Sequence, residues 1–184
     1  MLIERMWRAA LLQPAVYEEL ERDESATSQA ALVVLIVAIA TAIGDYLSAA
    51  LFGGRPGGSG LVRAIVDGVL SGFVGWVVWS YVSFFVGTTI FGGTGTPGEL
   101  LRTLGFAGSP AVLHIFSFVP VLGGIINFFV AIWLLVAAIV AIRQALDFST
   151  GRAVGTAIVG WIALVIVVAI ATLISIAVAA ALGL

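Results

Sequence analysis

Between Thr27 and Phe52 the chain carries one charged residue, Asp45, and nearly everything else in that stretch is apolar. About 20 consecutive apolar residues cross the hydrocarbon core of a bilayer. Comparable runs follow at Leu61–Phe91, Ile125–Leu146 and Ala153–Leu182, the last without any charge. With 184 residues, 61% hydrophobic and 10% charged, the chain exceeds the apolar content that a soluble domain hides in its core. It reads as an all-α, polytopic membrane protein.

Composition closes several functional classes. There is no Cys, which excludes disulfides, thiolate metal sites and thiol chemistry, and there is one His, which excludes a His-rich metal centre. Eight basic residues, all Arg, stand against ten acidic ones. The net charge of −2 provides no basic excess for nucleic acid. No nucleophile–base pair, zinc motif or nucleotide motif is present, so no enzyme activity and no cofactor are expected.

Residues 1–24 hold nine of the charged side chains. Leu2, Ile3, Met6, Trp7, Ala10 and Leu11 recur at helical spacing, with Glu4, Arg5 and Arg8 on the opposite face. This pattern suits a helix lying in the membrane interface and anchored by Trp7. Pro14 ends it and can open a second short helix through Leu20. Residues 1–24 are therefore expected to be an amphipathic interfacial segment, and residues 25–184 a five-span membrane domain.

Two turn-rich breaks, Gly53–Gly60 and Gly92–Gly98, separate the first three spans. Thr96-Pro97-Gly98-Glu99 has the form of a capping box with Pro in the first turn. The helix it opens runs to about Val119, and Pro110 should kink or split it. Pro120–Gly124 and Asp147–Arg152 are the remaining turns. Five spans put Arg5, Arg8, Arg22, Arg102, Arg143 and Arg152 on one side and Arg55 and Arg63 on the other. That imbalance favours a cytoplasmic N-terminus and an external C-terminus in the cell membrane.

Four polar side chains interrupt the apolar runs: Asp45, Asp67, His114 and Asn127. By the helical rise, the first three lie about 9 Å from the external ends of their helices, and Asn127 about 6 Å. A charge in lipid costs roughly 2.5–3.5 kcal/mol on insertion scales, so these groups are expected to turn inward and meet. Arg63, one turn from Asp67, can pair with it. The cluster reads either as structural glue or as an outward-facing pocket for a cation, a proton or a headgroup. Two carboxylates and an imidazole can also ligate a divalent metal. Gly68 and Gly72 permit close helix contact, within the chain or in a homo-oligomer. Ser175 and Ala179 offer a similar smooth face. The Gly92–Gly98 loop lacks the Lys and spacing of a phosphate loop. With Arg102, Arg143 and Arg152 it can meet a lipid phosphate.

The second half has a recognisable cadence. Phe91-Gly92-Gly93-Thr94-Gly95-Thr96 leads into Glu99-Leu100-Leu101-Arg102-Thr103-Leu104-Gly105-Phe106-Ala107 and Pro110. Trp133-Leu134-Leu135, Ala141-Ile142-Arg143-Gln144-Ala145-Leu146 and Ser149-Thr150-Gly151-Arg152-Ala153 follow. Together with Leu12-Gln13-Pro14-Ala15-Val16-Tyr17-Glu18-Glu19-Leu20, this resembles the Yip1 domain family in its prokaryotic form. The resemblance implies a five-span membrane protein with a cytoplasmic N-terminus, and the leading expectation is a non-enzymatic protein of this type that organises membrane or partner proteins. Eukaryotic relatives act in vesicle traffic and interact with Rab-type GTPases and with one another. They carry a longer polar N-terminal region with a DLYGP-like segment. Neither feature occurs in this sequence, which sets Rab binding apart from what the resemblance implies here. The competing expectation, from another class, is a small transporter or channel built on the Asp45–Asp67–His114 pocket.

Overall fold

The computed structural model describes residues 1–52 and 60–182, with side chains described as far as 166 and at 169, 170 and 173. The chain is all helix: α1 Leu2–Ala10, α2 Pro14–Arg22, α3 Ala26–Phe52, α4 Gly60–Thr89, α5 Pro97–Ala107, a 3-10 helix Ser109–Phe116, α6 Leu122–Ala145 and α7 Thr150–Leu182.

Among the described residues, three helices rather than five are long and apolar enough to cross a membrane: α3, α4 and α6. The five-span count fails first at the expected third span. α5 is only 11 residues long, and the chain then tightens into the 3-10 helix. Pro110 sits in the first turn of that helix, where its missing N–H costs nothing and where it cannot continue α5. Over Thr150–Ile166, the stretch whose side chains are described throughout, α7 is apolar as well. The external C-terminus followed from five crossings and loses that support. The Gly53–Gly60 break, apart from Gly60, lies with Arg55 outside the described residues, as do the side chains of Ser175 and Ala179.

α5 starts as its sequence predicts. The Thr96 hydroxyl accepts from the Glu99 N–H, and the Glu99 carboxylate accepts from the Thr96 N–H at 2.8 Å. From this cap, α5 and the 3-10 helix run along α3. Gly105 meets Ala30 near the start of α3, and Ser117 meets Gly44 further along. At Gly44 the two backbones approach closely. A Cβ there would collide with the His114 carbonyl oxygen and come within 2.6 Å of Ser117 Oγ. α6 then returns, and its last turns pack with α2 and α5 in the main core around Leu20, Leu100, Phe106 and Ile142.

α1 and α2 are docked on the bundle. Val16, Tyr17 and Leu20 are fully buried, and the Tyr17 hydroxyl donates to the Ala9 carbonyl at 2.9 Å. Burial also pushes the Tyr17 phenol up, so it stays a neutral donor. Arg5 binds Glu19 at 2.7 Å and Asp23 at 2.8 Å, and donates to Gln29 Oε1 at 3.1 Å. One guanidinium thus joins α1, α2 and the start of α3. Trp133 Nε1 donates to the Ala10 carbonyl at 2.7 Å and holds the end of α1 from α6. The expected division of α1 into apolar and charged faces is revised. Leu2, Met6 and Ala9 face the protein beside Arg5, whereas Ile3, Trp7 and Leu11 form a separate exposed apolar stripe.

Candidate functional site

Of the four polar residues in the apolar segments, two line one cavity. Asp45 and Asp67 line the same cavity, of about 840 Å³, between α3 and α4. His114 and Asn127 do not line it. His114 is half-buried in the 3-10 helix, and Asn127 is exposed on α6. The group that reaches Asp45 from the 3-10 segment is the Ser117 hydroxyl, at 3.4 Å from Oδ1. Among the described residues no three His or acidic side chains converge on a point that could hold a metal. The metal reading therefore lacks its third ligand.

The cavity has two unlike ends. Its mouth carries Asp45, Asp67 and Tyr46; its deep end carries Trp76, Trp79, Leu104 and Leu134, and Gly105, Gly108 and Ala111 form part of the lining. Arg63 stands one helical turn from Asp67, with Nε at 3.5 Å from its carboxylate. Both side chains are about two-thirds exposed, at 69% and 65%, so the pair contributes little to stability. Gly68 and Gly72 let α3 approach α4. A Cβ at these positions would meet Ala42 Cβ at 3.1 Å and Ala38 Cβ at 3.2 Å.

The three arginines read as lipid-phosphate contacts part company. Arg102 is 7% exposed, and its Nε donates to the Leu20 carbonyl at 2.9 Å. Its Nη2 donates to the Glu21 carbonyl. Arg102 therefore satisfies the carbonyls that the end of α2 leaves open, and it is engaged inside the protein. Arg143 donates to Gln144 beside a polar hollow of about 290 Å³ that Glu18, Glu21 and Asp147 also line. Burial, then the Asp147 and Glu99 charges, raise the Glu21 carboxyl. Arg152 is exposed at the start of α7.

Sequence reasoning missed Trp76 and Trp79 as cavity walls, because aromatic residues in an apolar run look the same whether they face lipid or a groove. It also missed Ser80, Ser83 and Thr156, whose buried hydroxyls have no hydrogen-bond partner among the described residues. Nothing but tertiary placement distinguishes these hydroxyls from others in membrane helices.

Helices of spanning length, a polar end built from α1 and α2, and no convergent reactive side chains among the described residues together define a multi-pass helical membrane protein. The Yip1 domain matches residues 8–182, and the chain belongs to the Yip1 domain family. Yip1-family membrane proteins are non-catalytic. No curated protein and no solved structure matches the chain. The residues that carried the resemblance have architectural work in this structure. Tyr17 binds Ala9, Arg102 holds the end of α2, and Gly105 admits Ala30 at 2.8 Å from where its Cβ would be.

Proposed function

We propose that this protein is a non-enzymatic membrane scaffold that organises partner proteins from the face formed by α1, α2 and the adjoining turns. The observation that supports this reading is the distribution of charge. Among the described residues, every charged side chain except Asp45, Arg63 and Asp67 belongs to that face, and the face is held by the Arg5 and Arg102 bonds. A fixed polar platform on an apolar bundle presents a constant surface to a partner, which lowers the ordering cost of association. The arginine excess at this end favours a cytoplasmic orientation. α1 lies at the membrane interface, with Ile3, Trp7 and Leu11 toward lipid.

Affinity capture of the tagged protein from native membrane, read by mass spectrometry for proteins and lipids, tests the reading. A stoichiometric membrane-protein partner is expected. Recovery of the protein alone, or with lipids only, contradicts it.

A second reading, a small transporter or channel, draws on the carboxylates at the mouth of the α3–α4 cavity. It requires cation flux in protein-containing vesicles that Asp67→Asn abolishes.

A further inference from the structure

The cavity between α3 and α4 has a shape and charge pattern that the scaffold reading leaves unused. Along α3 its lining extends from Ala49 to Val34, roughly 22 Å by the helical rise. One leaflet of the hydrocarbon core is about 15 Å deep. Its volume of about 840 Å³ falls within the range of small-molecule sites. Asp67, Ser71 and Gly75 on α4 are exposed, as is Asp45 on α3, so the groove is open beside α4 from Asp67 to Gly75. A Cβ added at Gly75 meets nothing within 4 Å.

Two carboxylates line the mouth, and the Arg63 guanidinium stands just outside it, 3.5 Å from the Asp67 carboxylate, which leaves a negative excess. We propose that the groove holds one acyl chain of a membrane lipid whose headgroup carries a phosphate and a primary ammonium. The ammonium binds Asp45 and Asp67, the phosphate lies beside Arg63, and the chain runs toward Trp76 and Trp79.

Each part of this lipid has a counterpart. A primary ammonium has three N–H donors for carboxylate oxygens. A trimethylammonium has none and favours aromatic cages, whereas the tryptophans lie at the opposite end of this groove. A lipid with net negative charge would bring its charge to two carboxylates. The apolar lining at the deep end suits a hydrocarbon chain and offers nothing to hold a bare ion. The proposal does not depend on partner docking at the α1–α2 face, which lies at the other end of the bundle.

Native mass spectrometry of the detergent-solubilised full chain, with added phosphatidylethanolamine, phosphatidylcholine or phosphatidylglycerol, tests the proposal. The phosphatidylethanolamine adduct should exceed the others by about tenfold, the scale of a charge-assisted hydrogen bond. Asp45→Asn with Asp67→Asn should erase the preference. Gly75→Leu, which fills the groove from an open helical position, should remove the adduct while circular dichroism shows unchanged helicity. If the double variant does not fold, Gly75→Leu decides alone. Equal adducts for the three lipids, or a preference that survives Gly75→Leu, overturns the proposal. So does a dimer that Gly75→Leu dissociates, since a second copy then fills the groove.

Discussion

Arg102 Nε lies 2.9 Å from the carbonyl oxygen of Leu20, a residue 82 positions earlier in the chain. The contact places a buried guanidinium on the last turn of α2, the negative end of that helix dipole. It joins two of the segments that carried the family resemblance. Replacing Arg102 with Ala should leave the Leu20 and Glu21 carbonyls short of a donor and cost about 2–3 kcal/mol. Thermal unfolding in detergent measures this. The same variant should retain any dependence of stability on anionic lipid, because Arg102 is engaged inside the protein. Loss of that dependence with unchanged stability would restore Arg102 as a lipid contact.

The attachment of α1 should be sensitive to acid. The Arg5 hydrogen bond chiefly, reinforced by Arg8, holds the Glu19 carboxyl below its ordinary value. Ser25 first, then Arg5, do the same for Asp23. A carboxylate with a depressed folded pKa contributes stability above the unfolded value, roughly 4, and loses it as pH falls through the folded value. Glu21 is raised and runs the opposite way, but it faces Asp147 and Glu99 rather than Arg5. α1 should therefore be held at neutral pH and released below about pH 4. A fluorophore on a single Ile3→Cys, at an exposed position of α1 in a chain without other Cys, reports the release. Glu19→Gln should move the release toward neutral pH, and an unchanged profile in that variant would refute the account.

Two glycines in neighbouring helices should respond to alanine with opposite signs. In an exposed helix, Gly→Ala stabilises by about 0.8–1 kcal/mol. Gly75→Ala, with open space at the added Cβ, should behave this way. Gly44→Ala should instead destabilise by about 1–3 kcal/mol, because the Cβ meets the 3-10 backbone at His114. Equal stabilisation by both would mean that the 3-10 helix is not seated on α3.

Orientation is open to direct chemistry, since the chain has no Cys. A single Ser149→Cys, in the exposed turn before α7, should react in intact cells only with a membrane-permeant maleimide. Labelling by an impermeant maleimide from outside would place the arginine-rich face externally and reverse the assignment.

The sequence made the membrane environment, the α5 capping box and the fragility of the segment around Pro110 legible, because each depends on local chemistry. The fate of that segment was not legible. Hydropathy averages over Leu104–Val119 without registering that Pro110 divides it into an α-helical and a 3-10 part. Depth along the helices put Asp45 and Asp67 at one level, and both line the same cavity. It could not supply rotation about the helix axes, which decides which side chains line the cavity, and His114 and Asn127 are not among them. Arg102 shows the same limit. Its charge and loop-side position suit a phosphate, and only the docking of α2 reveals that two backbone carbonyls occupy it first.

The claim that the α1–α2 face receives a protein partner is tested most directly by site-specific photocrosslinking in native membrane. A benzophenone residue is placed at exposed Arg22 in one variant and at exposed, membrane-level Phe85 in another. The account predicts a discrete protein adduct of defined mass from position 22 and lipid adducts from position 85. Protein adducts from position 85 alone, or none from position 22, would contradict it.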